Sequence, residues 1–404
     1  MVHRRDERAD TSLATDTLAS FWGIDPLLAP LTDDDATFRS LLLEETSVGR
    51  SAIHDFARRS YYTVRPLLPR TIQIRLRQMR VQRIIGHVGA HWPVDRRGWI
   101  LACQWLYNLN NHTPHALYGL RFWPAGAQCA VVLTHDVEQR QGFDAIEKVA
   151  ALEEELGFRS SWNIVPERYP IDRTLLRSLV QRGHEIGVHG LYHDGKLFSN
   201  HTVFRARLEK IADYAVEWGA RGFRSPATLR HPAWMQELPF EYDASFFDTD
   251  PFEPQPGGCS HVFPFLLGRL VELPYTMPQD HTLFEVIRCN PLDIWLNKAK
   301  WIRSVGGMIL MLTHPDYLRE PSRLAQYRKV LEHIREWDDT WRALPIEAAH
   351  WWRRRHASSA RVDFTGQLIA EGPAREAVAH SLATIRPAHA GDGSRSNSRH
   401  LTAQ

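Results

Sequence analysis

Two histidines four residues apart, His189 and His193, follow the short run Ile186-Gly187-Val188 and precede a carboxylate, Asp194. Histidines so spaced lie on one face of a helical turn, where both imidazoles can reach one ion. Upstream, Ala130 to Thr134 is a second apolar run, and it breaks into His135, Asp136, Val137 and Glu138. Apolar runs of this kind read as strands buried on both faces. Two strands that each end in metal donors point to a hydrolytic metal site at the carboxyl edge of a parallel sheet or barrel. Each piece alone has a plainer reading: two exposed histidines on a helix, or an Asp-x-Glu that caps a turn. The pieces downstream shift the balance, because Gly222 to Pro226, Glu241 to Asp248 and Met308 to Pro315 are again apolar or aromatic runs ending in polar groups.

In this order the motifs resemble those of the NodB-homology polysaccharide deacetylases, carbohydrate esterase family four. The run from His184 to His193 resembles the family's paired-histidine motif, and Arg224-Ser225-Pro226 its Arg-x-Pro motif. Tyr242 to Asp248 is similar to its aromatic and aspartate segment, and Leu312-Thr313-His314 to its closing Leu-x-His. The resemblance covers about Ala127 to Tyr317, and it implies a distorted (β/α) barrel that removes N-acetyl groups from a saccharide. Two positions depart from the family. The first motif carries Glu138 where an aspartate is usual, and Gly190 stands where a serine or threonine follows the first histidine. In a strand, residues i and i+2 share a side, so Asp136 and Glu138 can share one pocket. Asp136 is then the base, with Glu138, His189 and His193 on the metal; the alternative puts Asp136 on the metal and leaves the base unassigned.

Two imidazoles and one carboxylate leave positions open for water and substrate, the pattern of a catalytic metal. Zinc is the first choice, and cobalt, nickel or manganese tolerate similar ligands. His314, after the last strand, can protonate the leaving amine as imidazolium. The resemblance implies that Arg224 orients Asp136 by a charged contact. Asp243 or Asp248 is expected to fix the His314 tautomer. Pro226, Tyr242, Asp243, Asp280 and His281 are expected to line the substrate groove, while His135, His184 and Asp194 read as packing or supporting residues. Other readings are a non-sugar amide hydrolase on the same barrel, or a metal- or carbohydrate-binding protein without catalysis.

With 43% hydrophobic residues and a net charge of +2, the chain reads as an ordinary soluble globular protein, and nothing in it points to nucleic acid. Cys103, Cys129, Cys259 and Cys289 are far apart and read as buried thiols of a reducing compartment. The start of the chain lacks an apolar export signal, and no apolar run is long enough to span a bilayer, so a cytoplasmic location is expected. An enzyme so placed would treat a sugar intermediate before export.

Alternation of strand and helix periods predicts an α/β fold with about seven parallel strands over residues 125–340: Cys129–Thr134, Ser161–Val165, Glu185–Val188, Gly222–Arg224, Tyr242–Phe246, Leu270–Leu273 and Met308–Thr313. Residues 1–34 read as a flexible leader, and 35–124 as a helical basic extension. Residues 341–386 read as a helical segment whose Trp341–Arg355 part lies on the surface, and 387–404 as a disordered tail. Arg58 to Arg83 holds eight arginines and no acid. Such a stretch either lies on an anionic membrane that presents a lipid-linked saccharide, or packs its aliphatic side on the catalytic domain.

Overall fold

The computed structural model describes residues 13–44, 72, 75–79, 81, 83 and 91–383. The first part of the expected leader, most of the basic segment and the expected tail lie outside these residues.

A short strand, β1 (Tyr118–Leu120), precedes the sheet that carries the candidate site. That sheet contains β2 (Cys129–Val137), β3 (Ser160–Ile164), β4 (Glu185–Val188), β5 (Gly222–Phe223) and β6 (Tyr242–Asp243). It continues with β7 (Phe265–Leu267), β8 (Leu270–Glu272), β9 (Met308–Thr313) and β10 (Thr340–Arg342). β9, β2, β3, β4, β5, β6 and β8 pair side by side in that order, all parallel, which is the set of seven read from the sequence. β10 adds a further parallel partner to β2, and β7 runs antiparallel on β8. The sheet curls: Thr276 and Met277, just past β8, donate to Leu310 O in β9 at 3.1 and 3.2 Å. The result is the distorted α/β barrel expected.

Helices cover the sheet because parallel neighbours need crossovers. Local signals set their ends: Asp172 Oδ1 caps Arg173–Gln181 at Thr174 N (2.8 Å), and Asn200 caps His201–Trp218. β2 and β9 are buried throughout, so their side chains alternate between two covered faces. His135 shows the outer face. It bonds Glu153 at 2.7 Å and Thr313 Oγ1 at 2.8 Å and stacks on Trp162, whereas Asp136 points into the barrel.

The flanking segments differ from expectation. Residues 13–34 are not a loose leader: helix Leu18–Trp22 sits in the core, where Phe21 meets Phe263 at 5.0 Å. The final helix begins at Pro345 and lies at the surface, with Glu347, His350, Arg353 and Arg354 exposed, but its other face is packed, since Trp351, Trp352 and Arg355 are buried. The Arg355 guanidinium donates to the carbonyls of Phe21, Leu120 and Arg121 at 2.9 to 3.0 Å, which ties the two ends of the chain together. Beyond it the chain forms strands instead of continuing as helix: β11 (Ser359–Val362) pairs with β12 (Leu368–Glu371), and β13 (Ala379–Ser381) with β1. No helix among the described residues is long and apolar enough to cross a membrane.

Candidate active site

At the carboxyl ends of β2, β4 and β9 the chain gathers Asp136, Glu138, His189, His193 and His314. Asp136, Glu138, His189 and His314 stand at or directly after the ends of buried strands, and His193 follows in the loop after β4.

The two histidines do not share a helical turn. Val188 ends β4, and the chain then makes a loop in which Gly190 and His193 have φ of 64° and 56°. These left-handed steps bend the backbone so that the rings face each other, centroids 5.0 Å apart. The hydroxyl residue usual after the first histidine could not stand here without strain: a Cβ on Gly190 would lie 2.5 Å from Pro226 Cγ, besides the cost of a positive φ. Pro226, itself buried, packs against this loop.

One donor atom from each of Glu138, His189 and His193 lies within 4.8 Å of the others. His189 Nδ1 is bonded to the Arg224 carbonyl at 2.9 Å, which makes Nδ1 the protonated nitrogen and leaves a lone pair on Nε2. That Nε2 is buried without a hydrogen-bond partner, as are both ring nitrogens of His193. Glu138 Oε1 comes within 2.9 Å of His193 Nε2, an ion-pair approach without hydrogen-bond alignment. Buried nitrogens that bond nothing in the protein yet point at a carboxylate are what a cation between them would satisfy. The donor set thus fits a divalent metal.

Asp136 is held differently. Its Oδ1 accepts from Asn163 Nδ2 at 2.9 Å and from Arg224 Nη1 at 3.1 Å, and its Oδ2 lies 3.5 Å from His189 Nε2. Burial alone would raise this carboxyl, but His189, Arg224 and His314 outweigh it and hold the group below the usual carboxylate range. For Glu138 the burial penalty is likewise overcome, by His193 and then His314 and His189, and its carboxyl falls well below the ordinary value. Burial depresses His189 to about 4, which keeps its ring neutral and able to ligate.

The partner of His314 is Asp280, neither Asp243 nor Asp248. Asp280 Oδ1 takes His314 Nδ1 at 2.7 Å and Oδ2 takes the His314 backbone N–H at 2.8 Å. Burial opposes the charge on His314, yet Asp280, Glu138 and Asp136 prevail and push it up to about 10. Asp248 is occupied by Lys298 at 2.7 Å, and Asp243 accepts from the backbone and hydroxyl of Ser245 at 2.8 and 3.0 Å.

Most of the residues expected to line a groove do not. Asp280 and Asp243 are fully buried in these contacts. Tyr242 donates to Glu185 Oε1 at 2.7 Å, at the amino end of β4, whereas His189 follows its carboxyl end. His281 alone stays partly open, its ring stacked on Tyr317 at 5.3 Å. Three supporting residues escaped the sequence reading. Asn163 holds Asp136, Asp316 Oδ2 accepts the Glu138 backbone N–H at 3.1 Å, and Thr134 Oγ1 takes Arg224 Nη1 at 2.9 Å. An asparagine inside the buried run Ser160–Ile164 was the one available signal. Gly187 serves the same group, since a Cβ there would lie 2.2 Å from Asn163 Oδ1.

No family model matches the chain, and no curated protein does. Solved structures similar to it include a Mycobacterium smegmatis protein described as a polysaccharide deacetylase, 22% identical with a TM-score of 0.47 over 60% of this chain and 94% of that one. Puue allantoinase is similar at 15% identity and a TM-score of 0.43 over 60% and 94%. The chitin deacetylase of Colletotrichum lindemuthianum is similar at 11% and 0.36 over 56% and 88%.

Proposed function

We propose that the chain is a metal-dependent hydrolase that removes an N-acetyl group from an amino sugar or saccharide intermediate. The observation that carries this reading is the donor set Glu138, His189 and His193, with its unbonded buried nitrogens, flanked by an ionised Asp136 and a protonated His314. A divalent cation in that set, zinc first among the candidates, would supply Lewis-acid polarisation of the amide carbonyl and a more acidic attacking water. Asp136 takes the proton from the attacking water, its Oδ2 being the oxygen that Arg224 and Asn163 leave unengaged. As the carbon–nitrogen bond breaks, His314 gives its Nε2 proton to the leaving nitrogen, because Asp280 secures Nδ1. The products are acetate and a free amine, and both groups then exchange protons with water to restore their starting states.

The same reading takes the substrate to be a saccharide intermediate inside the cell, carried on a lipid and presented at the membrane surface. Four free cysteines accord with a reducing compartment. The purified chain, loaded with zinc or cobalt, should release acetate from N-acetylated oligosaccharides or nucleotide-linked N-acetyl sugars, and a chelator should stop the release. Turnover of a cyclic or linear amide with no acetate from any sugar would assign the site to non-sugar amide hydrolysis. Stoichiometric metal with no turnover across the panel would leave a binding protein.

The Asp280–His314 pair sets a pH expectation. A raised imidazolium value means that the acid form persists through neutral pH and is lost as pH rises through about 10 in the metal-free chain. A cation beside Glu138 works the other way and draws this value down. Asp280→Asn removes the leading favourable partner, so the alkaline limb of kcat/KM should move to lower pH, with about a tenfold or larger fall at neutral pH. A limb that stays in place would take Asp280 out of this role.

A further inference from the structure

Residues 72, 75–79, 81 and 83 are helical, and their side chains divide into two faces. Inward, Val81 is buried, Gln78 Nε2 donates to Glu285 O at 2.8 Å, and Arg77 reaches His281 Nε2 at 2.8 Å and Glu253 Oε1 at 3.5 Å. Outward, Ile72, Leu76 and Met79 are 44%, 42% and 50% exposed, with Arg75 and Arg83 exposed beside them. The spacing i, i+4, i+7 puts the three aliphatics in one line on the helix surface. A helix that packs for its own stability turns such a line to the core and its arginines to water. At Ile72, Leu76 and Met79 the line faces water instead, while Arg77 turns inward beside the buried Val81.

The inward face ends at the proton donor. His281 directly follows Asp280, the partner of His314, and stacks on Tyr317, whose ring lies 5.4 Å from that of His314. We propose that this helix is a membrane contact built onto the rim of the site. Ile72, Leu76 and Met79 enter the headgroup boundary of an anionic bilayer, and Arg77 transmits that engagement to His281.

Charge selects the occupant. Arg58 to Arg83 contains eight arginines and no acid, which suits an anionic lipid surface, and exposed aliphatics flanked by guanidinium groups are the makings of an interfacial helix. A saccharide on a lipid carrier is the substrate class that this placement serves. That last step rests on the deacetylase reading; the contact surface itself does not.

Co-sedimentation of the full chain with phosphatidylglycerol-containing vesicles, and with phosphatidylcholine vesicles alone, tests the surface. The chain should pellet with the anionic vesicles and much less with the neutral ones. The binding should fade toward about 1 M salt, where the screening length is about 3 Å. Leu76→Glu/Met79→Glu should lower partitioning at least about tenfold with an unchanged thermal midpoint, because both side chains are exposed. A chain that stays in the supernatant, partitions equally into neutral vesicles, or pellets unchanged as the double variant overturns the proposal. So does a dimer in gel filtration that the double variant dissolves without vesicle binding, which assigns the face to a second copy.

Hydrogen exchange reads the coupling. Anionic vesicles should slow exchange across residues 278–287 in the wild type and not in Arg77→Ala; the same slowing in both, or none in either, removes Arg77 from the link. Neither readout needs turnover. Vesicle binding without acetate release therefore supports the surface while it counts against the deacetylase reading.

Discussion

Asp136→Asn is expected to keep its divalent cation and lose at least about a hundredfold in kcat/KM, the scale of a missing general base. Glu138→Gln, His189→Ala and His193→Ala are expected to lose the cation itself. The contrast follows from what already occupies each group. Asp136 Oδ1 is spent on Asn163 and Arg224, and an amide oxygen can accept the same two bonds, so the local structure survives while basicity goes. Glu138 and the two imidazoles have no comparable donors: His189 Nε2 and His193 Nε2 bond nothing in the protein, and Glu138 faces both of them across the space a cation would fill. Loss of one of three ligands removes most of the affinity of such a site. Metal content after dialysis, measured beside acetate release from the metal-loaded protein, separates the outcomes. Metal lost from Asp136→Asn and retained in Glu138→Gln would exchange the two roles, and full occupancy in both alanine variants would remove the histidines from the site.

What the sequence made legible follows physical lines. β4 and β9 were read to the residue because both are apolar runs buried on two faces and bounded by polar groups. β6 is shorter than Tyr242–Phe246 suggests, since side chains take over the ladder there. Asp243 Oδ1 accepts Ser245 N, and Glu272 Oε1 accepts Phe246 N at 3.0 Å. The pairing of Asp280 with His314 spans 34 residues, and no local pattern distinguishes it from pairings with Asp243 or Asp248. Tyr242 carries an aromatic signature that suits a groove, yet its hydroxyl is used at the opposite end of the strands. The strands after His356 have partly exposed faces and, in the case of β13, a partner more than 250 positions away in β1, so neither periodicity nor turn chemistry announces them. Strands buried by the fold write themselves into composition, whereas side-chain pairings made by closure of the barrel do not.

Arg224→Met is expected to destabilise the metal-free chain by about 3–5 kcal/mol, the range seen when one partner of a buried ion pair is removed. Arg224 is wholly buried, and its guanidinium joins three parts of the barrel: Ala244 O at 2.6 Å, Thr134 Oγ1 at 2.9 Å and Asp136 Oδ1 at 3.1 Å. Methionine fills much of the volume and supplies no donor, so the carbonyl and the hydroxyl each lose a bond and Asp136 is left as a buried carboxylate with Asn163 and the neighbouring histidines. The pH dependence identifies the cause. An aspartate held below its ordinary value of 3.8 contributes stability that is present above that value and is lost as pH falls through the lower folded one. The difference between wild type and Arg224→Met should therefore be largest near neutral pH and shrink on acidification. The acidic limb of kcat/KM should also move to higher pH, since Asp136 must be ionised to accept a proton. Denaturant unfolding from pH 7 to well below 3.8, alongside the pH–rate profile of the metal-loaded variant, measures both. A stability difference that widens toward acid, or a variant as stable as the wild type, would mean that Arg224 is a structural cross-link and that Asp136 owes its charge to the histidines alone.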